Sequence, residues 1–135
     1  MQALKAFIVE DSPVIRENLI ATLEELSPVE VIGAAADESE AVQWLSVAEP
    51  TVDLVIVDIF LKSGSGLGVL RAAREPDRHH RLGKLIVLSN YATPDMRRRC
   101  LELGADRVFD KSNEIDALIV YCEQLAEGGL AANRG

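Results

Sequence analysis

Five times along the chain, a short apolar run rich in β-branched residues is followed by a segment whose apolar residues recur at helical spacing. The runs that we predict to be strands are residues 6–10, 29–36, 54–58, 84–89 and 107–110. Strands that alternate with helices form a parallel sheet covered on both faces, because parallel neighbours need a long crossover between them. Since such crossovers are right-handed, few topologies remain. The sequence therefore predicts an α/β flavodoxin-like (βα)5 fold, doubly wound, with a five-stranded parallel sheet of order 2-1-3-4-5.

Capping residues support the predicted helix boundaries. Helices are predicted to start at Pro13 and Pro94, each of which follows a hydroxyl residue suited to an N-cap. Asp37 is predicted to cap the second helix, with Glu40 as its capping-box partner, and Gly104 to end the fourth. Helical spacing on the first helix predicts a core face made of Ile15, Leu19, Thr22, Leu23 and Leu26.

Length and composition indicate one globular domain. The chain has 135 residues, of which 48% are hydrophobic and 27% charged. We expect residues 1–127 to form this domain and residues 128–135 to form a short flexible tail. Cys100 and Cys122 have no metal-ligand spacing, and we expect both to be buried reduced thiols.

Charge argues against two classes of partner. The formal net charge of −8 disfavours a nucleic-acid or anionic-membrane surface, since either would need a basic face. No apolar run approaches the roughly 20 residues of a membrane span, and the N-terminus reaches two acids too early for a signal peptide. We expect a cytoplasmic protein that contacts neither membrane nor nucleic acid through this chain.

Polar residues stand at the carboxyl ends of four predicted strands. Glu10 and Asp11 end the first, Asp58 the third, Ser89 the fourth and Lys111 the fifth. Because ligands of such sheets bind outside these ends, where strand order reverses, we expect the five side chains to share one rim. Carboxylates this close raise one another's pKa values unless a cation is present. A few hard oxygen ligands suit Mg²⁺ better than zinc.

Together these segments resemble the receiver domain of two-component response regulators, over essentially the whole length apart from the tail. The matching stretches are FIVEDSP, LVIVD, the glycine at Gly66, VLSNY and GADRVFDKS. The resemblance implies a phosphoprotein of a two-component phosphorelay, which receives a phosphoryl group from a sensor histidine kinase or phosphotransfer protein and requires bound Mg²⁺.

The resemblance also implies a role for each rim residue. Asp58 would be the phosphoacceptor, and Lys111 would neutralise charge on the phosphoryl oxygens. Glu10, Asp11 and Asp58 would hold Mg²⁺ together with the backbone carbonyl of Phe60.

Ser89 would bond a phosphoryl oxygen, draw the loop after strand four inward and bias the face formed by helix four, strand five and helix five. We expect an unidentified downstream protein to bind that face.

Receivers often carry an aromatic residue three positions before the lysine, but here that residue is Val108, and Phe109 should point to the opposite face of the strand. This departure argues against the family's usual aromatic rotamer switch, with Tyr91 as the alternative aromatic.

Phe60 and Tyr91 each lie two residues beyond a predicted phosphoryl-site residue. They are either tolerated surface aromatics or modulators that exclude the water that would hydrolyse the acyl phosphate. We favour the second interpretation, which predicts slow self-dephosphorylation.

Three other segments need an interpretation. Where the family places a proline after its lysine, this chain has Ser112, and we expect Ser112 or Asn113 to cap the last helix. Residues 97–99 are three arginines that we interpret mainly as a solvated helix side, with a partner or homodimer surface at Leu101 as the alternative. His79 and His80 are interpreted as part of a solvated loop.

Several functional hypotheses follow. The leading one is a stand-alone receiver, a switch that catalyses only its own phosphorylation and dephosphorylation and is not otherwise an enzyme. An alternative is a receiver fragment of a longer regulator with a DNA-binding output domain. An aspartate-nucleophile phosphohydrolase is disfavoured because such enzymes have a second aspartate where this chain has Phe60. A flavin-binding module is disfavoured because the loop after strand one is acidic.

Overall fold

The sheet is built around a central strand that is buried on both faces. The computed structural model describes residues 3–47, 52–75, 82–90 and 92–129. The strands are β1 (Leu4–Val9), β2 (Val29–Ala35), β3 (Val52–Val57), β4 (Leu82–Ser89) and β5 (Arg107–Asp110). The helices are α1 (Pro13–Leu26), α2 (Glu38–Val47), α3 (Gly66–Ala73), α4 (Pro94–Glu102) and α5 (Ile115–Gln124), and a π-helical turn, Leu125–Gly129, continues α5.

All neighbouring strands pair in parallel, in the order β2-β1-β3-β4-β5. The predicted fold class and strand order are therefore confirmed. The observed β3 begins two residues earlier than predicted and includes Asp53. A charged residue is accommodated there because its carboxylate receives a hydrogen bond of 2.8 Å from the amide of Lys5.

Alternating residues of the strands feed two separate cores, one on each face of the sheet. In β3, Val55 and Val57 face one core, whereas Leu54 and Ile56 face the other. This is the pattern of a strand covered on both sides, and it explains why the run is apolar without interruption.

Both cysteines are buried as predicted, and burial raises the pKa of the Cys122 thiol to about 12.

Most of the predicted helix caps are present. The hydroxyl of Ser12 accepts from the amide of Ile15 at 3.3 Å, and Thr93 caps α4 in the same way. The carboxylate of Asp37 accepts from the amide of Glu40, whose own carboxylate reaches the amide of Ala36 at 2.7 Å. The reciprocal bonds of a capping box therefore form, displaced by one residue at one end. Gly104 follows α4 with φ of 107°, a conformation that favours glycine.

The predicted core face of α1 is wrong at its two ends. Leu19 and Leu23 are buried, but Ile15 is 39% exposed and Leu26 is 54% exposed. Only the middle turns of this 14-residue helix pack onto the sheet, so residues near its ends extend past the core.

The start of α5 also differs from prediction. Glu114 occupies the N-cap position, whereas Ser112 and Asn113 were expected there. Both of their amides instead donate to one carboxylate oxygen of Asp110, at 2.8 and 3.2 Å. This local turn satisfies the amides without a helix and so delays the helix start.

Some expectations lie outside the described residues, namely those for Tyr91, His79 and His80 and for residues 130–135 of the predicted tail. Among the residues that are described, no helix is both long and apolar enough to cross a membrane.

Replacing Gly33 with alanine should destabilise the fold. The indole of Trp44 stacks on Phe7 with ring centroids 4.0 Å apart, and a Cβ at Gly33 would lie 2.7 Å from that indole. We expect the indole to be displaced at a cost of about 1–3 kcal/mol. Chemical denaturation followed by tryptophan fluorescence measures both effects. Gly128→Ala is the control, since a Cβ there meets no atom within 4 Å.

Candidate functional site

Three carboxylates meet where strand order reverses, between β1 and β3. Glu10 and Asp11 follow β1 directly, and Asp58 follows β3. One oxygen from each lies within 4.8 Å of the others. Glu10 and Asp58 are buried, and Asp11 is partly exposed. Buried carboxylates at this spacing need compensating positive charge.

Lys111 supplies a positive charge to this cluster. Its ammonium nitrogen lies 2.5 Å from Glu10 Oε1 and 3.0 Å from Asp58 Oδ2. The backbone amide of Lys111 donates to the carbonyl of Ser89 at 2.8 Å, which fixes the lysine beside the end of β4. One ammonium therefore bridges two carboxylates that come from different strands.

Burial and the contacts between Lys111 and the carboxylates shift the pKa values of Glu10 and Lys111. Burial raises the pKa of Glu10 above its ordinary value, although the hydrogen bond from Lys111 opposes it and repulsion by Asp58 adds only a minor contribution. The raised pKa of Glu10 has the expected direction, but its main cause is burial rather than repulsion between the carboxylates. For Lys111, burial alone would lower the pKa, but the bond to Glu10 and the attraction of Asp58 outweigh burial and raise it.

Backbone amides orient each carboxylate. Glu10 Oε2 accepts from the amide of Ser12 at 3.1 Å. Asp58 Oδ1 accepts from the amide of Phe60 at 3.0 Å, and Asp11 Oδ2 accepts from the amide of Lys62 at 2.8 Å. The loop after β3 therefore contacts two of the three acids, so its conformation governs where they point.

The remaining predicted residues surround this cluster. Ser89 is fully buried at the end of β4. The residue Phe60 is 47% exposed and lines the cleft of about 150 Å³ that opens over the acids. The cleft is lined by Glu10, Asp11, Ser12, Ile15, Asp58, Phe60, Asn90 and Lys111. It is small and polar, and its donors suit a hard cation and an anionic group rather than a large apolar ligand.

A second polar network, which the sequence analysis missed, covers the free edge of β5. Arg97 on α4 is half-buried and donates to the carbonyls of Ala92 and Val108 at 2.9 and 3.0 Å. It also pairs with Glu114 at 2.7 Å, and the same carboxylate oxygen accepts from the amide of Asp110. The interpretation of residue 97 as part of a solvated helix side is therefore wrong, while residues 98 and 99 are exposed as expected.

This network ties the start of α4, the strand β5 and the start of α5 together. It satisfies the outward carbonyl of Val108 and the outward amide of Asp110, which an edge strand would otherwise leave open. In sequence, the only signal for it is the acid at residue 114, four positions after Asp110. The arginine run gives no indication of which member turns inward.

Phe109 and Val108 point to opposite faces of the sheet, as alternation predicted. Phe109 is buried in the core on the α1 and α5 side, and Val108 packs against the other core. The aromatic ring of Phe109 is thus a core side chain on the face of the sheet opposite to Val108.

The chain belongs to the response regulator receiver domain family. The family description matches residues 6–123, which include every strand from Ala6 onward and nearly all of α5. The site just described is the acidic rim expected of that family. Receiver domains act in two-component signalling, in which histidine kinases phosphorylate them.

Related sequences are named as regulatory proteins. The chain is 32% identical over 125 residues to the transcriptional regulatory protein YvfU of Bacillus subtilis, covering 93% of this chain and 60% of YvfU. It is 29% identical over 126 residues to the nitrate/nitrite response regulator protein homolog of Haemophilus influenzae, covering 93% of this chain and 58% of that protein. The chain thus spans about 60% of the length of these curated relatives.

Solved structures show the same fold. The signal receiver domain of NarL from Mycobacterium tuberculosis superposes with a TM-score of 0.78 at 20% identity, covering 95% of this chain and 99% of that one. The signal receiver domain of the DNA-binding response regulator merR from Colwellia psychrerythraea gives a TM-score of 0.78 at 24% identity, covering 92% and 98%.

Replacing Glu114 with glutamine should remove an acid-sensitive part of the stability. The hydrogen bond from Arg97 lowers the pKa of Glu114 below its ordinary value of 4.5. The ion pair therefore stabilises the fold fully above that value and is lost as pH falls through the lowered pKa. The difference in melting temperature between wild type and Glu114→Gln should be constant at neutral pH and shrink below about pH 4.5.

Glu123→Gln is the matched control, since residue 123 is an exposed glutamate on the same helix. If the melting temperatures of both variants fall in parallel as the pH is lowered, the ion pair of Glu114 does not contribute an acid-sensitive part of the stability.

Proposed function

We propose that this receiver domain is a phosphorylation-activated switch whose phosphoacceptor is Asp58. One observation carries the proposal: the Asp58 carboxylate stands among Glu10, Asp11 and the ammonium of Lys111, beneath a polar cleft open to solvent. A nucleophilic carboxylate beside a fixed positive charge is the arrangement that phosphoryl transfer requires. The donor is a histidine kinase or a phosphotransfer protein carrying phosphohistidine.

Mg²⁺ fits the donor set of this site. The ligands would be the carboxylates of Glu10, Asp11 and Asp58 and the carbonyl of Phe60, all hard oxygen donors. When bound, the ion neutralises negative charge on the transferring phosphoryl group and on the acids around it.

The protein's own groups perform the remaining work of transfer. An oxygen of Asp58 forms a bond to phosphorus while the bond from phosphorus to the donor's imidazole nitrogen breaks, and the electron pair leaves with that nitrogen. The Phe60 amide, bonded to Asp58 Oδ1, holds the carboxylate in a fixed orientation for this attack. Lys111, already 3.0 Å from Asp58 Oδ2, moves its hydrogen bond to a phosphoryl oxygen.

The signal then passes to the face made by α4, β5 and α5. The Ser89 hydroxyl donates to a phosphoryl oxygen and shifts the loop that follows β4. Because Arg97 bonds to Ala92 in that loop and to Glu114 at α5, a shift of the loop alters the whole face. A downstream protein recognises the altered face, and a homodimer through α4 is an alternative occupant.

Activity as a general phosphohydrolase is a weaker candidate. Phe60 occupies the position where such enzymes carry their general acid, and its ring has no proton to give. The only reaction that we propose for this chain is gain and loss of its own phosphoryl group.

Asp58→Ala should abolish phosphorylation. Incubation of the wild type with acetyl phosphate and Mg²⁺ is expected to add one phosphoryl group, detected by intact mass, and the variant should show none. Asp53→Ala is a control at another acid, which lies within β3, although it should lower stability because the amide of Lys5 loses its acceptor. Folded wild type that gains no phosphoryl group from acetyl phosphate would contradict the proposal.

Phe60→Asn should shorten the life of the acyl phosphate. The phenylalanine side chain lines the cleft, and we propose that it limits water at the phosphoryl group, so a small polar side chain should accelerate hydrolysis several-fold. Decay of the phosphorylated form is followed by intact mass after the donor is removed. The acyl phosphate of Phe60→Leu, which keeps an apolar side chain, should hydrolyse more slowly than that of Phe60→Asn. Equal hydrolysis rates for wild type and Phe60→Asn would show that the Phe60 ring does not limit water at the site.

A further inference from the structure

The loop between β3 and α3 contacts the acidic site at two points and is itself closed into a compact turn. The amide of Gly66 donates back to the carbonyl of Ile59 at 3.0 Å. Within this turn, the amides of Phe60 and Lys62 orient Asp58 and Asp11. Any residue that fixes this turn also fixes those two carboxylates.

Glu38, the first residue of α2, holds the far side of the turn. Its carboxylate accepts from the amide of Ser65 at 2.7 Å, and its own amide donates to the carbonyl of Ser63 at 3.3 Å. The contact joins residues 27 positions apart, from the start of one helix to the residue before the next. Because Ser65 is the N-cap of α3, the glutamate also places negative charge at the N-terminus of that helix, where it is favoured.

Two glycines leave the space that the Glu38 side chain occupies. A Cβ on Gly64 would lie 2.5 Å from the Cβ of Glu38, and a Cβ on Gly68 would overlap its carboxylate. Gly64 also has φ of 80°, so the turn needs glycine there for backbone reasons as well. Glycine at residue 68, inside α3, costs helix stability and has its explanation in this contact.

We infer that Glu38 is a positioning residue for the phosphorylation site, acting through the loop after β3. It fixes Ser63 and Ser65, so that the adjacent Lys62 amide is held against Asp11 and the Phe60 amide against Asp58. Glu38 touches neither the phosphoryl group nor the metal. This inference rests on the proposed function, and it extends the site to a helix that contributes no ligand.

The first experiment tests the contact itself, without Mg²⁺. Gly68→Ala should destabilise the wild type, because the new methyl group would displace the Glu38 carboxylate from the amide of Ser65. In a Glu38→Ala background the same change should be neutral or stabilising, since alanine is the better helix former. A double-mutant cycle of melting temperatures measures this coupling. An equal change in melting temperature on Gly68→Ala in both backgrounds would show that Glu38 does not contact residue 68.

The second experiment measures Mg²⁺ affinity, from the rise in melting temperature with Mg²⁺ concentration. Loss of an outer residue that orients a ligand typically weakens metal binding by about tenfold or more, and we expect about tenfold for Glu38→Ala. Glu38→Gln keeps an oxygen acceptor for Ser65 and should retain most of the affinity. The rate of phosphorylation by acetyl phosphate should follow the same order.

Glu40→Ala is the matched control. Glu40 lies on the same turn of α2 and carries the same charge, but its carboxylate bonds to the amide of Ala36. Its loss should lower the melting temperature and leave Mg²⁺ affinity unchanged. Equal Mg²⁺ affinity for Glu38→Ala and Glu40→Ala would overturn the positioning role while leaving the proposed function intact. A wild type that neither binds Mg²⁺ nor gains a phosphoryl group would instead overturn the proposed function.

Discussion

The structure depends on the ammonium group of Lys111, which offsets the cost of burying the carboxylates of Glu10 and Asp58. Glu10 and Asp58 are carried into the interior by the two central strands, and without compensation their charges would oppose folding. Lys111, which follows the edge strand β5, contacts both carboxylates. The cluster is held together by a charge that can be redistributed when a cation and a phosphoryl group arrive. The same interaction thus stabilises the resting fold and prepares the site for its chemistry.

Around this rim, three loops carry the functional geometry, and each is held by a residue from elsewhere. The loop after β3 is held by Glu38 from α2. The loops after β4 and β5 are joined by Arg97, which reaches Glu114 at the start of α5. In this chain a valine replaces the family's usual aromatic on β5, and the half-buried arginine bonds to the carbonyl of that same Val108. A polar link therefore joins α4, β5 and the start of α5.

Much of the fold and the main site residues could be predicted because their signals are local. Uninterrupted apolar runs indicate strands covered on both faces, and a hydroxyl followed by proline indicates a helix start. Where the predictions failed, the position of a residue relative to the core or to a nearby turn changed the outcome. Ile15 has helical spacing but lies in the first turn of α1, where it lines the cleft and is exposed. Ser112 does not cap α5, because Asp110 accepts hydrogen bonds from the amides of Ser112 and Asn113 and the helix begins later.

By itself, the sequence determined the alternation of strands and helices, the parallel sheet and the five polar residues at the strand ends. These follow from periodicity and from the rule that parallel strands end at one edge. The tertiary structure alone decided which of those groups pair. Lys111 bonds to Glu10 across 101 residues of sequence, and Glu38 reaches a loop 27 residues away. No local pattern encodes such pairs, because they depend on where folded helices and loops place their side chains in space.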